Sequence, residues 1–119
     1  MDKQDLGRFG EERAVRYLRK KGYTILERNY RCRLGEIDII AQKGGYVVFV
    51  EVKLRKDDNF AAAREFVTRA KQERVMKTAE LWLTQMDSQL QPRFDVIEVY
   101  APRGKAGPIE IEHLEDAFE

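Results

Sequence analysis

Cysteine, histidine and tryptophan each occur once in the 119 residues, at Cys32, His113 and Trp82. One cysteine rules out an intrachain disulfide, which fits the reducing cytoplasm. Cys32 has no His or Asn nearby in sequence to activate it, so it makes a poor reactive thiol. One histidine and one cysteine are too few for a zinc hydrolase or a histidine-metal nuclease. Long apolar runs are also missing. The longest, Tyr46 to Val50, is far short of the roughly 20 residues that span a bilayer. The opening MDKQDLGRFGEERAV lacks the apolar core of a signal peptide. No Walker loop, Gly-rich dinucleotide turn or G-x-S-x-G elbow occurs, which sets aside the chemistries that those motifs serve. The expectation is a cytoplasmic protein with no membrane contact.

The composition is globular and charge-rich, at 43% hydrophobic and 36% charged. At this length it fits a single domain over residues 1–119, with an acidic C-terminal end expected to fray. The net charge of +1 says little, but its distribution is uneven. Residues 1–35 hold ten Lys/Arg against five Asp/Glu, and residues 108–119 hold five acids and no Lys or Arg. The basic front half either meets phosphates or is a solvated helix face.

No internal repeat or low-complexity tract is present. Leu6, Phe9, Ala14, Val15, Tyr17 and Leu18 fall at helical spacing and predict a helix from about Lys3 to Lys21, stopped by Gly22. Strands are predicted at Tyr23–Tyr30, Glu36–Gln42, Tyr46–Leu54 and Arg93–Tyr100, with a fifth at Ile109–His113. Lys43-Gly44-Gly45 reads as a tight hairpin, and a long helix is expected from about Ala61 to Met86. The order α-β-β-β-α-β, with a final β, implies an α/β (α+β) domain whose mixed sheet is covered by helices.

The strongest signal is charge at positions that should be buried. Alternation puts Val47, Phe49, Glu51 and Lys53 on one face of the third strand, and Val48, Val50, Val52 and Leu54 on the other. A buried carboxylate costs several kcal/mol unless it is paired or ligated. On the second strand, Glu36, Asp38 and Ile40 share a face, and Ile37, Ile39 and Ala41 share the opposite one. With Gly44-Gly45 as a two-residue turn, paired positions sum to 89 and Asp38 lies opposite Glu51. Like charges so placed repel unless a cation such as Mg²⁺ or Mn²⁺ sits between them. Glu11 shares a helical stripe with Ala14, Val15 and Leu18, whereas Glu12 is rotated away. Glu11 is either a third acid of this group or a first-turn acid complementing the helix dipole. Lys71 recurs with Val67, Val75 and Ala79 every fourth residue. It either reaches a phosphate or extends to water from the edge of a core face.

Asp38, followed after twelve residues by Glu51-Val52-Lys53, resembles the PD-(D/E)XK nuclease signature, with Gly35-Glu36-Ile37-Asp38 standing where that signature has Pro-Asp. An upstream helical acid such as Glu11 recurs in that superfamily, notably in archaeal-type Holliday junction resolvases. Four blocks match one family more closely. They are GxxGExxAxxYL (Gly7, Gly10, Glu11, Ala14, Tyr17, Leu18), GEIDII from Gly35, FVEVKLR from Phe49 and RFDV from Arg93, and together they resemble the YraN-like family of small bacterial proteins.

The resemblance implies a restriction-endonuclease-like fold and a Mg²⁺- or Mn²⁺-dependent endonuclease. In that reading Asp38, Glu51, the Val52 carbonyl and Glu11 hold the metal. Lys53 orients the attacking water or stabilises charge on the transition state. Lys71, Arg8, Arg28 and Arg31 hold the nucleic-acid backbone, with DNA the favoured substrate. A homodimer follows only by analogy with resolvases. Three other readings stay open. The first is a catalytically silent nucleic-acid-binding or repair-partner module. The second is an interaction scaffold using Trp82 with Leu81 and Leu83, against which core packing of Trp82 is the favoured expectation. The third, a carboxylate-pair glycosidase, leaves Lys53 without a role. His113, alone near an acidic end, reads as structural or merely exposed.

Overall fold

The computed structural model describes residues 3–55 and 68–118. Along the chain run α1 (Lys3–Lys20), β1 (Thr24–Cys32), β2 (Gly35–Lys43), β3 (Tyr46–Arg55), α2 (Arg69–Met86), β4 (Gln91–Tyr100), a 3₁₀ turn (Gly104–Ala106) and β5 (Glu110–Leu114). This is the expected order, and the fifth strand is present. The strands form one sheet in the order β1-β2-β3-β4-β5. The β3–β4 pair is parallel and the other pairs are antiparallel. A parallel neighbour requires a crossover, and α2 lies in it. The first part of the expected long helix, from Ala61, lies outside the described residues.

Helix ends follow local chemistry. Gly22 adopts φ 92, and the N–H groups of Gly22 and Tyr23 bond the carbonyls of Arg19 and Leu18, both at 3.0 Å. That left-handed cap is why α1 stops there. Thr68 caps α2, its hydroxyl accepting from the Lys71 N–H at 3.2 Å.

The two helices cover opposite faces of the sheet. Ala14, Val15 and Leu18 of α1 pack with Ile39, Val48, Val50, Ile97 and Val99, and Val52 and Leu54 join at the edge. Val75, Ala79 and Trp82 of α2 pack with Ile40, Val47, Phe49 and Val96. Strand β3 therefore alternates as its pattern predicts. Gly10 lets α1 approach closely, because a Cβ there would lie 3.3 Å from the Leu54 Cβ.

Two expectations are corrected. Ile37 does not share a face with Ile39 and Ala41; it packs with the α2 cluster, so alternation breaks at Asp38. Asn29 on the neighbouring strand has φ 53, and it lies between Arg28, opposite Ile39, and Tyr30, opposite Ile37. A left-handed residue turns the β1–β2 ribbon at this level, which sequence alternation does not register. The acidic end does not fray up to residue 118. The Asp116 N–H donates to Asp95 at 3.0 Å, the Ala117 N–H bonds the Phe94 carbonyl at 2.7 Å, and Phe118 is buried against Phe94. Trp82 is buried, as core packing requires, and its indole N–H donates to Glu27, so the alternative scaffold reading loses its exposed patch. No helix among the described residues is long and apolar enough to cross a membrane.

Candidate active site

The β2–β3 ladder runs from Lys43↔Tyr46 to Ile39↔Val50, which is the register in which paired positions sum to 89. Asp38 and Glu51 come next, at the point where the backbone ladder ends. There the Asp38 side chain takes over from the missing backbone partner, its Oδ2 accepting the Val52 N–H at 2.8 Å. In a strand the N–H and C=O of one residue point toward the same neighbour, so the Val52 carbonyl faces this opening too.

Glu51 is only 7% exposed, and two ammonium groups converge on its Oε1. Lys71 Nζ lies at 2.5 Å and Lys53 Nζ at 3.6 Å. Lys53 follows Glu51 on β3, whereas Lys71 comes from the first turns of α2, held there by the Thr68 cap and the buried Val75. Glu11 lies half-buried on α1, next to Gly10 and the close α1–β3 contact. Asp38 and Glu51 thus lie where β2 and β3 separate, reached by α2 from one face, while Glu11 on α1 acts on Asp38 through its charge and does not bring its carboxylate oxygens within 4.8 Å of both.

The electrostatics record this crowding. Burial, then the Glu51 charge and more weakly that of Glu11, push the Asp38 carboxyl up to about 7, against the lowering pull of the Val52 N–H and Lys71. Burial and contact with Lys71 hold Lys53 below the usual lysine range, although Glu51 pulls the other way. For Lys71, burial pushes down, but its hydrogen bonds to Glu51 and Lys53 outweigh that and raise it. Two carboxylates and a strand carbonyl form an all-oxygen donor set, which suits Mg²⁺ or Mn²⁺ better than a softer metal.

The expected backbone-binding arginines do not converge here. Arg28 is paired with Glu12 at 2.8 Å, and Arg31 with Glu36 at 3.1 Å. Arg8 is exposed and lines a cavity on the outside of α1 with Arg13, Arg16 and Lys105.

Sequence reasoning overlooked a second buried charge cluster on the α1 face. Asp95 has no exposed surface and accepts from Arg93 through Nε at 2.9 Å and Nη2 at 2.8 Å, and from His113 Nε2 at 2.6 Å. A carboxylate only accepts, so Nε2 carries a proton and Nδ1 is left to the Tyr17 hydroxyl at 3.1 Å. Burial pushes Asp95 up, but the bonds from His113, Arg93 and the Asp116 N–H outweigh it and hold the carboxyl below its ordinary value. Asp95, His113 and Glu115 lie close enough to share a metal, but Arg93 Nη2 already sits 2.8 Å from Asp95 and 3.4 Å from Glu115. The guanidinium is the cation of this cluster. Glu98 was overlooked too; it is fully buried, accepts from Tyr100 at 2.9 Å, and lies opposite Lys53 in the β3–β4 register. An acid on an otherwise apolar strand face, the signal that singled out Asp38 and Glu51, marks both.

Residues 10–99 match the profile of Uncharacterised protein family UPF0102. A UPF0102 protein of Geotalea daltonii is 48% identical over 99% of this chain and 92% of its own length. One from Flavobacterium psychrophilum is 46% identical over 96% and 93%. One from Caldanaerobacter subterraneus subsp. tengcongensis is 43% identical over 99% and 98%. These names give a family and no activity. Spanning the helical acid, the hairpin with Asp38 and Glu51, and the Arg93–Asp95 strand, the match places this chain in family UPF0102, the YraN-like family that its four blocks resemble.

Proposed function

We propose that this protein is a metal-dependent endonuclease that hydrolyses phosphodiester bonds of nucleic acid, with Asp38, Glu51, Lys53 and Glu11 at its centre. The observation that carries the reading is the convergence of Asp38, Glu51, Lys53 and Lys71 where the β2–β3 ladder ends, with the Asp38 carboxyl pushed up to about 7. Unrelieved, such crowding of acids destabilises a fold; strongly perturbed groups gathered in one place are more often kept for chemistry. Asp38, Glu51, Glu11 and the Val52 carbonyl would hold a Mg²⁺ or Mn²⁺ ion. When bound, the ion supplies Lewis acidity toward the scissile phosphate and acidifies a water.

The chain's own groups divide the remaining work. Asp38 and Glu51 contribute the negative charge that fixes the cation. Lys53, with its lowered proton affinity, positions the attacking water or stabilises charge on the phosphate in the transition state. Lys71 keeps its charge beside Glu51 and holds a phosphate oxygen. DNA is the favoured substrate, and a homodimer acting on branched DNA is the form the reading takes by analogy with resolvases.

The test is cleavage of structured and single-stranded DNA and RNA with Mg²⁺ or Mn²⁺. Asp38→Ala and Lys53→Ala are expected to abolish cleavage while leaving the fold intact. Undiminished cleavage by both purified variants refutes the assignment. One observation favours the rival, a silent nucleic-acid-binding or repair-partner module. Lys71, at 2.5 Å from Glu51, neutralises that acid without any metal. Calorimetric Mn²⁺ titration separates the two, since binding that disappears in Asp38→Asn supports the nuclease and no binding by the wild type supports the rival.

A further inference from the structure

The Arg93–Asp95 motif has no part in the proposed chemistry, yet it organises a second site. Tyr17, Lys21, Tyr23, Lys43, His113 and Glu115 line a notch of about 340 Å³ between the end of α1, the β2–β3 turn and β5. Its framework is rigid for a physical reason. Fully buried Asp95 holds both Arg93 and His113, Arg93 Nη2 donates to the Tyr23 hydroxyl at 2.7 Å, and His113 meets the Tyr17 hydroxyl at 3.1 Å. Lys21 Nζ lies 5.8 Å from the centre of the Tyr17 ring, and Lys43 Nζ 5.1 Å from that of Tyr23. Rings under the two stems hold the ammonium groups in place. Neither lysine forms an ion pair among the described residues, whereas Glu115 already faces Arg93 at 3.4 Å. The Tyr17 O–H is engaged by His113 Nδ1 and the Tyr23 O–H by Glu115 at 3.4 Å, so what the notch offers a phosphate is two uncommitted cations on an ordered wall.

Its placement relative to Asp38 and Glu51 follows from two elements. Lys21, just past the end of α1, is ten residues beyond Glu11, about 15 Å at 1.5 Å per residue. Lys43 is five residues beyond Asp38 on β2, about 17 Å at 3.3 Å per residue. Both match about five nucleotides of duplex axial rise. Between the two ends, Arg13, Arg16 and Lys20 line a groove with Tyr17 and Ile111.

We propose that this notch binds a backbone phosphate of the nucleic-acid strand, about five nucleotides from the bond held at Asp38 and Glu51. The identity of the ligand rests on the nuclease reading above. The test is fluorescence anisotropy in Ca²⁺ with labelled hairpin strands whose duplex stems are about 20 and about 4 base pairs, the short stem being unable to span the distance. Lys21→Ala/Lys43→Ala is expected to weaken the long strand roughly tenfold and to flatten the salt slope by about 0.9 for each phosphate that is no longer neutralised. The short strand is expected to bind unchanged, and Lys21→Arg/Lys43→Arg to restore the long strand, with thermal unfolding of both variants matching the wild type.

Wild-type affinity and salt slope for the long strand in the alanine variant overturn the proposal, as does an equal weakening on both strands. Inorganic phosphate that shifts the His113 imidazole NMR signals, while long-strand binding ignores both lysines, overturns it in favour of a small phosphorylated ligand. If the wild type cleaves nothing but the lysine-dependent, length-dependent binding persists, the notch stands and the nuclease reading falls. If Asp38-dependent cleavage proceeds with binding indifferent to both lysines, the notch alone falls.

Discussion

Replacing Asp38 with Asn is expected to stabilise the metal-free protein, and to do so more strongly as pH rises. Asn keeps an oxygen to accept the Val52 N–H, held at 2.8 Å by the carboxylate, but carries no charge beside Glu51. The Asp38 carboxyl is raised from 3.8 to about 7 in the folded chain, by burial first and Glu51 second. For a group with a raised folded pKa, stability is full below the unfolded value and is lost as pH climbs through the folded value. Three units at about 1.4 kcal/mol each amount to about 4 kcal/mol of penalty for the ionised wild type above pH 7. Near pH 5 the folded carboxyl is still neutral while the unfolded one is ionised, which leaves a penalty of about 1.5 kcal/mol. Urea unfolding in EDTA should therefore show Asp38→Asn the more stable, its advantage widening by about 2.5 kcal/mol between pH 5 and pH 8. Mn²⁺ should then stabilise the wild type and not the variant. An Asp38→Asn protein less stable than wild type at pH 8, or an advantage that does not grow with pH, refutes the electrostatic account of the site.

Two further outcomes follow from the same geometry. Lys71→Met removes the ammonium that competes for Glu51 at 2.5 Å, so it should tighten Mn²⁺ binding severalfold by calorimetry while weakening strand binding by anisotropy. Asp95→Asn leaves Arg93 and His113 without their buried partner and should lower unfolding free energy by about 3–5 kcal/mol in urea, with a decrease below 1 kcal/mol counting against the cluster as a structural anchor.

What was legible in the sequence came from local periodicity and from residues out of place. Helix α1, its stop at Gly22, the hairpin turn and the alternation of β3 were all readable, because each depends on neighbours a few residues apart. Asp38, Glu51 and Glu11 stood out because an acid on an apolar face needs a reason. Arg93–Asp95 carried the same mark, but its partners Tyr23 and His113 arrive from β1's approach and from β5, and no spacing rule connects them.

By itself the sequence determined the element order, the register in which Asp38 and Glu51 follow Ile39↔Val50, and the family. Only the tertiary structure decided that the ladder ends there and that Asp38 turns aside to Val52. It also decided that Lys71 reaches Glu51 from another element and that the C-terminal end docks through Asp116 and Phe118. The physical reason is the range of the forces involved. Turn and pattern preferences act between near neighbours in the chain, whereas burial and ion pairing depend on which distant segments exclude water from one another.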